Sequence, residues 1–295
     1  MTTTTTSPQN RTIVRAGAKL RAIRVAFRTL DRVAPGIGAR WAARLWCTLP
    51  NTGGRRRDER PRPGDASTLT LPDGRVVAVE SWGFGPPVYL MHGWGGWRGQ
   101  LGAFVQPLVD AGRRVVAVDA PSHGESGPGR LGRGKATGVE FAEALTAAAG
   151  KHGKPAAVVA HSLGAAATAV AVLDGLPAAK LVLVAPSTKL SDGLAAFQRT
   201  VGFGERTRTR MLALLERKAG RPLADFDVTG LGRRTELPPT LVVHDRKDKE
   251  VPYDDGAELA ATWPEAELAS TDGLGHQRIL RDPDVIRLVV DYVTR

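Results

Sequence analysis

The chain of 295 residues has one cysteine, Cys47. That excludes an internal disulfide framework and fits a reducing compartment. No apolar run approaches the length that spans a bilayer. The N-terminus, MTTTTTSPQNRTIVRAGAKLRAIRVAF, has no apolar block followed by a small-residue cleavage site, so a signal peptide is not expected. These absences point to a cytoplasmic protein. No group of acids and histidines shows metal-ligand spacing, so neither a metal nor any other cofactor is expected. What is present is ordinary in bulk: 42% of residues are hydrophobic and 24% charged, near the globular average. The length suffices for one large core plus appendages.

The formal net charge of +11 is held unevenly. Residues 1–62 carry 14 Lys and Arg against three Asp and Glu, whereas residues 63–295 carry 27 of each. The basicity therefore belongs to an N-terminal arm, not to the main domain. An enzyme of nucleic acids carries its positive charge around the working groove. The arm's arginines also lack the interleaved aromatics that stacking on bases requires. No nucleic-acid partner is expected.

Met1 to Asn10 is Thr-rich and reads as disordered. Beyond it Ile13, Ala16, Leu20, Ile23, Phe27, Leu30 and Ala34 recur at three- and four-residue steps, one stripe of a helix. Arg15, Lys19, Arg21, Arg24, Arg28 and Arg32 cover its other faces, and Pro35-Gly36 ends it. The preferred reading is a helix packed along its own domain, over a sheet edge or an apolar groove. The sharper reading is a basic amphipathic helix in peripheral contact with anionic lipid. NTGGRRRDERPRPGD, residues 51–65, is a linker, so residues 1–65 form the arm.

From residue 66 the pattern changes. STLTLPDGRVVAVESWG reads as a hairpin about Pro72-Asp73-Gly74. PPVYLMHG, RRVVAVDAPSHGES, KPAAVVAHS, AKLVLVAPS and PPTLVVHDRKD are Val/Leu-rich runs of buried-strand length, each delivering polar residues at its C-terminal end. Helical stretches fall around residues 99–111, 137–149 and 162–174, and PDVIRLVVDYV closes the chain as a helix. The expected fold is α/β, a mostly parallel twisted sheet of about eight strands with helices on both faces. Ligands of such sheets bind at the carboxyl ends of the strands. Residues 188–236 hold amphipathic pieces, GLAAFQRTVGF and RTRMLALLERKAG, without a strand. They read as a helical cap or lid inserted between core segments 66–187 and 237–295, with an apolar underside and a basic outer face.

The stretch VVAHSLGAAAT places Ser162 between a strand and a helix. A nucleophilic serine needs such a sharp turn, with small residues flanking it because strand and helix backbones approach closely. The usual spacing is G-x-S-x-G; here Ala160 takes the first position and Gly164 the last. A helix N-cap serine is the competing explanation. A base and an acid must follow in the order Ser, acid, His. Of six histidines, only His244 and His276 come after Ser162. His276 lies in DGLGHQRIL, a Gly-rich loop able to reach back over the sheet edge. Asp245, Asp248 and Glu250, in HDRKDKEVPYDD, are the candidate acids. The preceding strand ends VAPSTKL and offers no carboxylate before Asp192.

LMHGWGG, VDAPSHGES, VAHSLGA and HDRKDKEVP…GLGH, in this order, resemble the α/β-hydrolase superfamily of esterases, lipases, C–C bond hydrolases and haloperoxidase-like perhydrolases. The resemblance covers about residues 67–295. It implies a triad of Ser162, Asp248 and His276, since Asp-x-x-Val-Pro after this strand is the family arrangement. It also implies an oxyanion hole from the backbone N–H groups of Leu163 and Trp94, with His92 and Gly93 in the supporting loop. Two departures stand out: Ala160, and Ser122 where the D-x-P-G-x-G loop usually has glycine. His92 is expected to order its loop, His123 to be structural or at the pocket margin, His161 to pack under the turn and His152 to face solvent. Serine at the elbow excludes the branch that forms alkyl-enzymes on a carboxylate. The expected reaction is cleavage of a carboxylic ester through an acyl-enzyme. The partner would be a small acyl substrate, and the cap's apolar underside favours a hydrophobic acyl group of modest size. Acyl transfer or perhydrolysis, C–C bond hydrolysis and a non-catalytic binding role are the alternatives.

Overall fold

Eight short strands form one sheet: β1 (Asp65–Thr70), β2 (Val76–Trp82), β3 (Pro87–Met91), β4 (Arg114–Val118), β5 (Ala157–His161), β6 (Leu181–Val184), β7 (Thr240–Asp245) and β8 (Ala266–Thr271). The structure, a computed structural model, describes residues 8–50 and 62–295, and only the backbone of residues 8–16. Strand order is β1-β2-β4-β3-β5-β6-β7-β8. β1 and β2 pair antiparallel, as does β2 with β4, and the remaining pairs are parallel. β3 to β7 are almost wholly buried, which is why they read as continuous apolar runs instead of alternating ones.

The helices are α1 (Pro8–Val33), α2 (Pro35–Trp46), α3 (Val105–Asp110), α4 (Gly138–His152), α5 (Leu163–Leu173), α6 (Leu190–Val201), α7 (Glu205–Ala219), α8 (Tyr253–Thr262), α9 (Gly275–Arg278) and α10 (Pro283–Thr294). Leu101, Phe104 and Leu108 before and within α3, together with Val285, Val289 and Val293 of α10, pack on Val88, Leu90, Val115, Val159 and Val243 of the sheet. Each fully buried Val or Leu there is worth roughly 1.5–3 kcal/mol relative to exposure. α4 and α5 pack on each other. In α5 the alanines from Ala165 to Ala171 are all buried, their small side chains allowing close approach.

Three elements were not legible in the sequence: α2, α8 and β8. Pro35 does end α1, at Val33, but it also opens α2 as a first-turn residue, where its missing N–H costs nothing. β8 is a half-exposed edge strand without an apolar run.

The chain divides into two compact units, and the boundaries differ from the expected ones. The described residues up to Trp46 group with Ser191–Leu223, and Cys47–Leu190 groups with Ala224–Arg295. The described part of the arm up to Trp46 and Ser191–Leu223 of the cap segment thus form one body. Each offers one apolar stripe, and the two stripes cover each other. Phe27 is fully buried; it stacks on Trp41 with centroids 4.3 Å apart and meets Phe203 at 5.6 Å. Trp46 meets Phe197 at 5.3 Å. Asp31 accepts from the Thr207 backbone N–H at 2.8 Å, satisfying an open donor in the first turn of α7. α7 packs on α2 and buries Thr207, Met211, Leu215 and Ala219. The cap's apolar underside is therefore spent on the arm, and it no longer argues for a hydrophobic acyl group. Met1–Ser7, linker residues 51–61 and the side chains of Ile13, Arg15 and Ala16 lie outside the described residues.

Candidate active site

β5 ends at His161 and α5 begins at Leu163, leaving Ser162 alone to make the turn. Its φ of 55° is in the left-handed region, costly for a residue with a side chain and typical of strained functional turns. The geometry explains the glycine two residues on. A Cβ on Gly164 would lie 2.3 Å from the His92 carbonyl oxygen and 2.9 Å from that of Met91, both backbone atoms that cannot yield. The backbone of β3 and its loop runs directly against the turn. Ser162 makes no side-chain capping hydrogen bond to α5, so the N-cap explanation for this serine does not hold.

Ser162 Oγ lies 3.0 Å from His276 Nε2. His276 Nδ1 lies 2.7 Å from Asp248 Oδ2. The structure thus brings together the three side chains that the resemblance singled out, although 114 residues separate Ser162 from His276. The Asp248 side chain is wholly buried. Burial raises its carboxyl pKa, but hydrogen bonds from His244, from His276 and from the backbone N–H groups of Val251 and Glu250 outweigh it and hold the group well below the usual carboxylate range. An ionised carboxylate only accepts hydrogen bonds. The His276 proton is therefore on Nδ1, and the Nε2 lone pair faces Ser162.

The rival carboxylates do other work. Asp245 Oδ1 accepts from Lys247 N–H at 2.9 Å and Gly273 N–H at 3.2 Å; Oδ2 accepts from Thr271 Oγ1 at 2.7 Å and Leu274 N–H at 2.9 Å. Burial pushes this carboxyl up, but hydrogen bonds from Thr271 and from the backbone N–H groups of Gly275, Leu274 and Lys247 hold it down at about 2. Asp245 is the anchor of the loop that carries His276. Glu250 stays at the surface and accepts from Gln277 Nε2 at 3.5 Å. His244 is buried, with Nε2 3.3 Å from the Val251 carbonyl oxygen and 3.5 Å from Asp248 Oδ2.

His92 is buried and orders the loop after β3. Its Nδ1 donates to the Gly93 carbonyl at 2.7 Å, and its Nε2 accepts from Ala120 N–H at 3.1 Å. His123 does the same in reverse: it donates to the Pro121 carbonyl at 2.9 Å and accepts from Gly95 N–H at 3.1 Å. The two imidazoles staple the β3 loop to the β4 loop. Arg98 adds a buried ionic clamp, with Glu80 at 2.8 Å and Asp119 in contact with its Nη1. Gly93 abuts the serine so closely that a Cβ there would lie 2.9 Å from Ser162 Cβ. Trp94 and Leu163, the expected oxyanion donors, are the next residues along these two touching segments. The Trp94 indole packs near His123 and Phe141, at 5.7 and 6.4 Å between centroids. Gly132 and Gly129 explain how Ser122 tolerates a φ of 64°: its Oγ donates to the Gly132 carbonyl at 3.2 Å and accepts from Gly129 N–H at 2.8 Å.

Arg98, His244 and the anchoring role of Asp245 escaped sequence reasoning. Asp245 carried one signal, a carboxylate at a buried strand's end; the other two carried none. Among the described residues, no three His, Cys, Asp or Glu side chains converge as metal ligands would. No helix among them is long and apolar enough to cross a membrane.

Comparison with known proteins agrees with this architecture. The family model described as "Alpha/beta hydrolase family" matches residues 88–287. A non-heme chloroperoxidase from Streptomyces lividans is 28% identical over 270 residues, covering 74% of this chain and 96% of that protein. Non-heme chloroperoxidase CPO-A1 from Kitasatospora aureofaciens is 41% identical over 63 residues, 20% of this chain, so that the match spans only 22% of the relative. A thermophilic esterase from Thermogutta terrifontis superposes with a TM-score of 0.58 at 20% identity, over 78% of this chain and 98% of that one. That last likeness is one of fold.

Proposed function

Because the chain belongs to the α/β-hydrolase family, we propose that it is a serine hydrolase that cleaves a carboxylic ester through an acyl-enzyme on Ser162. One observation carries the reading: the unbroken relay from Ser162 Oγ through His276 to the buried Asp248, at 3.0 and 2.7 Å. Ser162 Oγ attacks the substrate carbonyl while its proton passes to His276 Nε2. Asp248 holds the tautomer and stabilises the imidazolium that forms. The negative carbonyl oxygen is taken by the Leu163 and Trp94 backbone N–H groups; Leu163 is fixed by the first turn of α5 and the Trp94 loop by His92, His123 and Arg98. His276 then protonates the leaving alkoxide. Water attacks the acyl group, giving its proton to His276, and the acid departs as Ser162 Oγ recovers a proton.

A second reading uses the same acyl-enzyme. The chloroperoxidase relatives favour attack by hydrogen peroxide in place of water, which gives a peracid and free Ser162. Steady-state hydrolysis of a p-nitrophenyl ester series, with and without added peroxide, tests both. Turnover that disappears in Ser162→Ala, together with fluorophosphonate labelling of the wild type only, is the expected result. Peracid exceeding free acid would favour the second reading. No turnover and no labelling of Ser162 would sink both and favour a binding role.

A further inference from the structure

The unit formed by α1, α2, α6 and α7 carries a surface that the hydrolase reading does not use. On α1, Arg21, Val25, Arg28 and Arg32 follow one another at four-, three- and four-residue steps, one face of a helix, and all are exposed. On α2, Ile37, Arg40 and Arg44 make the exposed face. Val25, Val33 and Ile37 are 61%, 74% and 56% exposed, and they are three of the six large apolar side chains so displayed among the described residues. Asp31 is the sole acid of residues 1–50, and it is turned to the Thr207 backbone. Residues 1–50 hold no other carboxylate to offset Arg21, Arg28 and Arg32. Between α2 and α7 lies a cleft of about 190 Å³ lined by Gly36, Ala39, Ala213 and Leu214, with Arg40, Arg210 and Arg217 beside them. Arg210, Ala213, Leu214 and Arg217 again share one helix face.

We propose that this helical unit docks on an anionic phospholipid surface. The arginines meet the headgroup phosphates, Val25, Val33 and Ile37 enter the shallow apolar layer below them, and the α2–α7 cleft receives one headgroup between Arg40, Arg210 and Arg217. Charge complementarity selects this occupant. A neutral protein partner would leave a rim of arginines without counter-charges, whereas cationic faces with a few protruding apolar groups match the interface of an anionic bilayer. The proposal is independent of the reaction at Ser162.

The full chain should co-sediment with vesicles of mixed phosphatidylglycerol and phosphatidylcholine, and not with phosphatidylcholine alone. Molar salt should release it. The exposed variants Ile37→Glu and Arg40→Glu should each weaken partitioning roughly tenfold, with thermal unfolding midpoints unchanged as the control for folding. Arg217→Glu probes the cleft by itself and should weaken partitioning in the same direction. Equal sedimentation with neutral and anionic vesicles would overturn the proposal, as would variants that bind like wild type. Retention by duplex nucleic acid without vesicle binding would reassign the face and overturn it too.

Discussion

His161 Nε2 lies 3.0 Å from the carbonyl oxygen of His276, so the residue before the expected nucleophile holds the main chain of the expected base. The two rings are 4.6 Å apart. This hydrogen bond needs a proton on Nε2, which leaves Nδ1 buried with no partner. A second proton there would place a charge in the core. Burial, reinforced by the nearby His276, accordingly lowers the His161 pKa from 6.5 to about 3.

The consequence for stability has a definite sign. Between pH 6.5 and about 3 the unfolded chain binds a proton at His161 that the folded chain refuses. Stability from this group is complete above the unfolded value and is lost as pH falls, with a slope of about 1.4 kcal/mol per pH unit. His161→Gln offers an N–H donor and does not titrate. Its urea-unfolding free energy should fall with acidification less steeply than wild type, by about one proton's worth. Parallel curves would show that His161 is not the responsible group.

Two carboxylates three residues apart should respond very differently to conversion to the amide. Asp248→Asn removes the acceptor that sets the His276 tautomer. Ester-hydrolysis kcat should drop by roughly three to four orders of magnitude, the scale known for triad carboxylates in serine proteases. Asp245→Asn weakens the anchor of the loop instead. It should cost about 1–3 kcal/mol of stability and only a modest part of kcat. Equal losses of kcat would mean that the relay to Asp248 does not operate.

Ser122 offers a test of compensation. The positive φ favours glycine there, but the hydroxyl bridges Gly129 and Gly132 across the loop. Ser122→Ala keeps the strain and loses both hydrogen bonds, so it should destabilise by about 1–3 kcal/mol. Ser122→Gly loses the bonds but relieves the strain and should fall between Ala and wild type. Thermal unfolding of the three proteins gives the order.

The pairing of arm and insertion predicts a long-range effect. Phe27→Ala removes a fully buried ring stacked on Trp41 and should cost about 3–5 kcal/mol of the helical unit's stability. Limited proteolysis should then reach α6 and α7, far along the chain, sooner than in wild type. Unchanged cleavage within residues 191–223 would show that the two segments do not depend on each other.

Much of this was written locally. Alternating apolar runs and turn residues announce a parallel sheet, because burial on both faces demands uninterrupted Val and Leu. The small residues at Ala160 and Gly164 announce the elbow, because the backbone at the end of β3 lies directly against Gly164. Asp248 ahead of Val251-Pro252 and His276 in its Gly-rich loop were legible as members of a familiar pattern. Other features depend on which groups meet across long stretches of chain, and no local signal carries that. The stripe on α1 announces that a face must be covered, but not that Phe203 and Thr207 would help to cover it. Carboxylates at Asp245 and Asp248 look alike in sequence; only the fold decides that one accepts from a loop's backbone and the other from an imidazole. Hydrophobic periodicity is a property of neighbouring residues, whereas the partner of a buried polar group is chosen by tertiary packing, since each donor must be satisfied by whatever acceptor the finished core brings within reach.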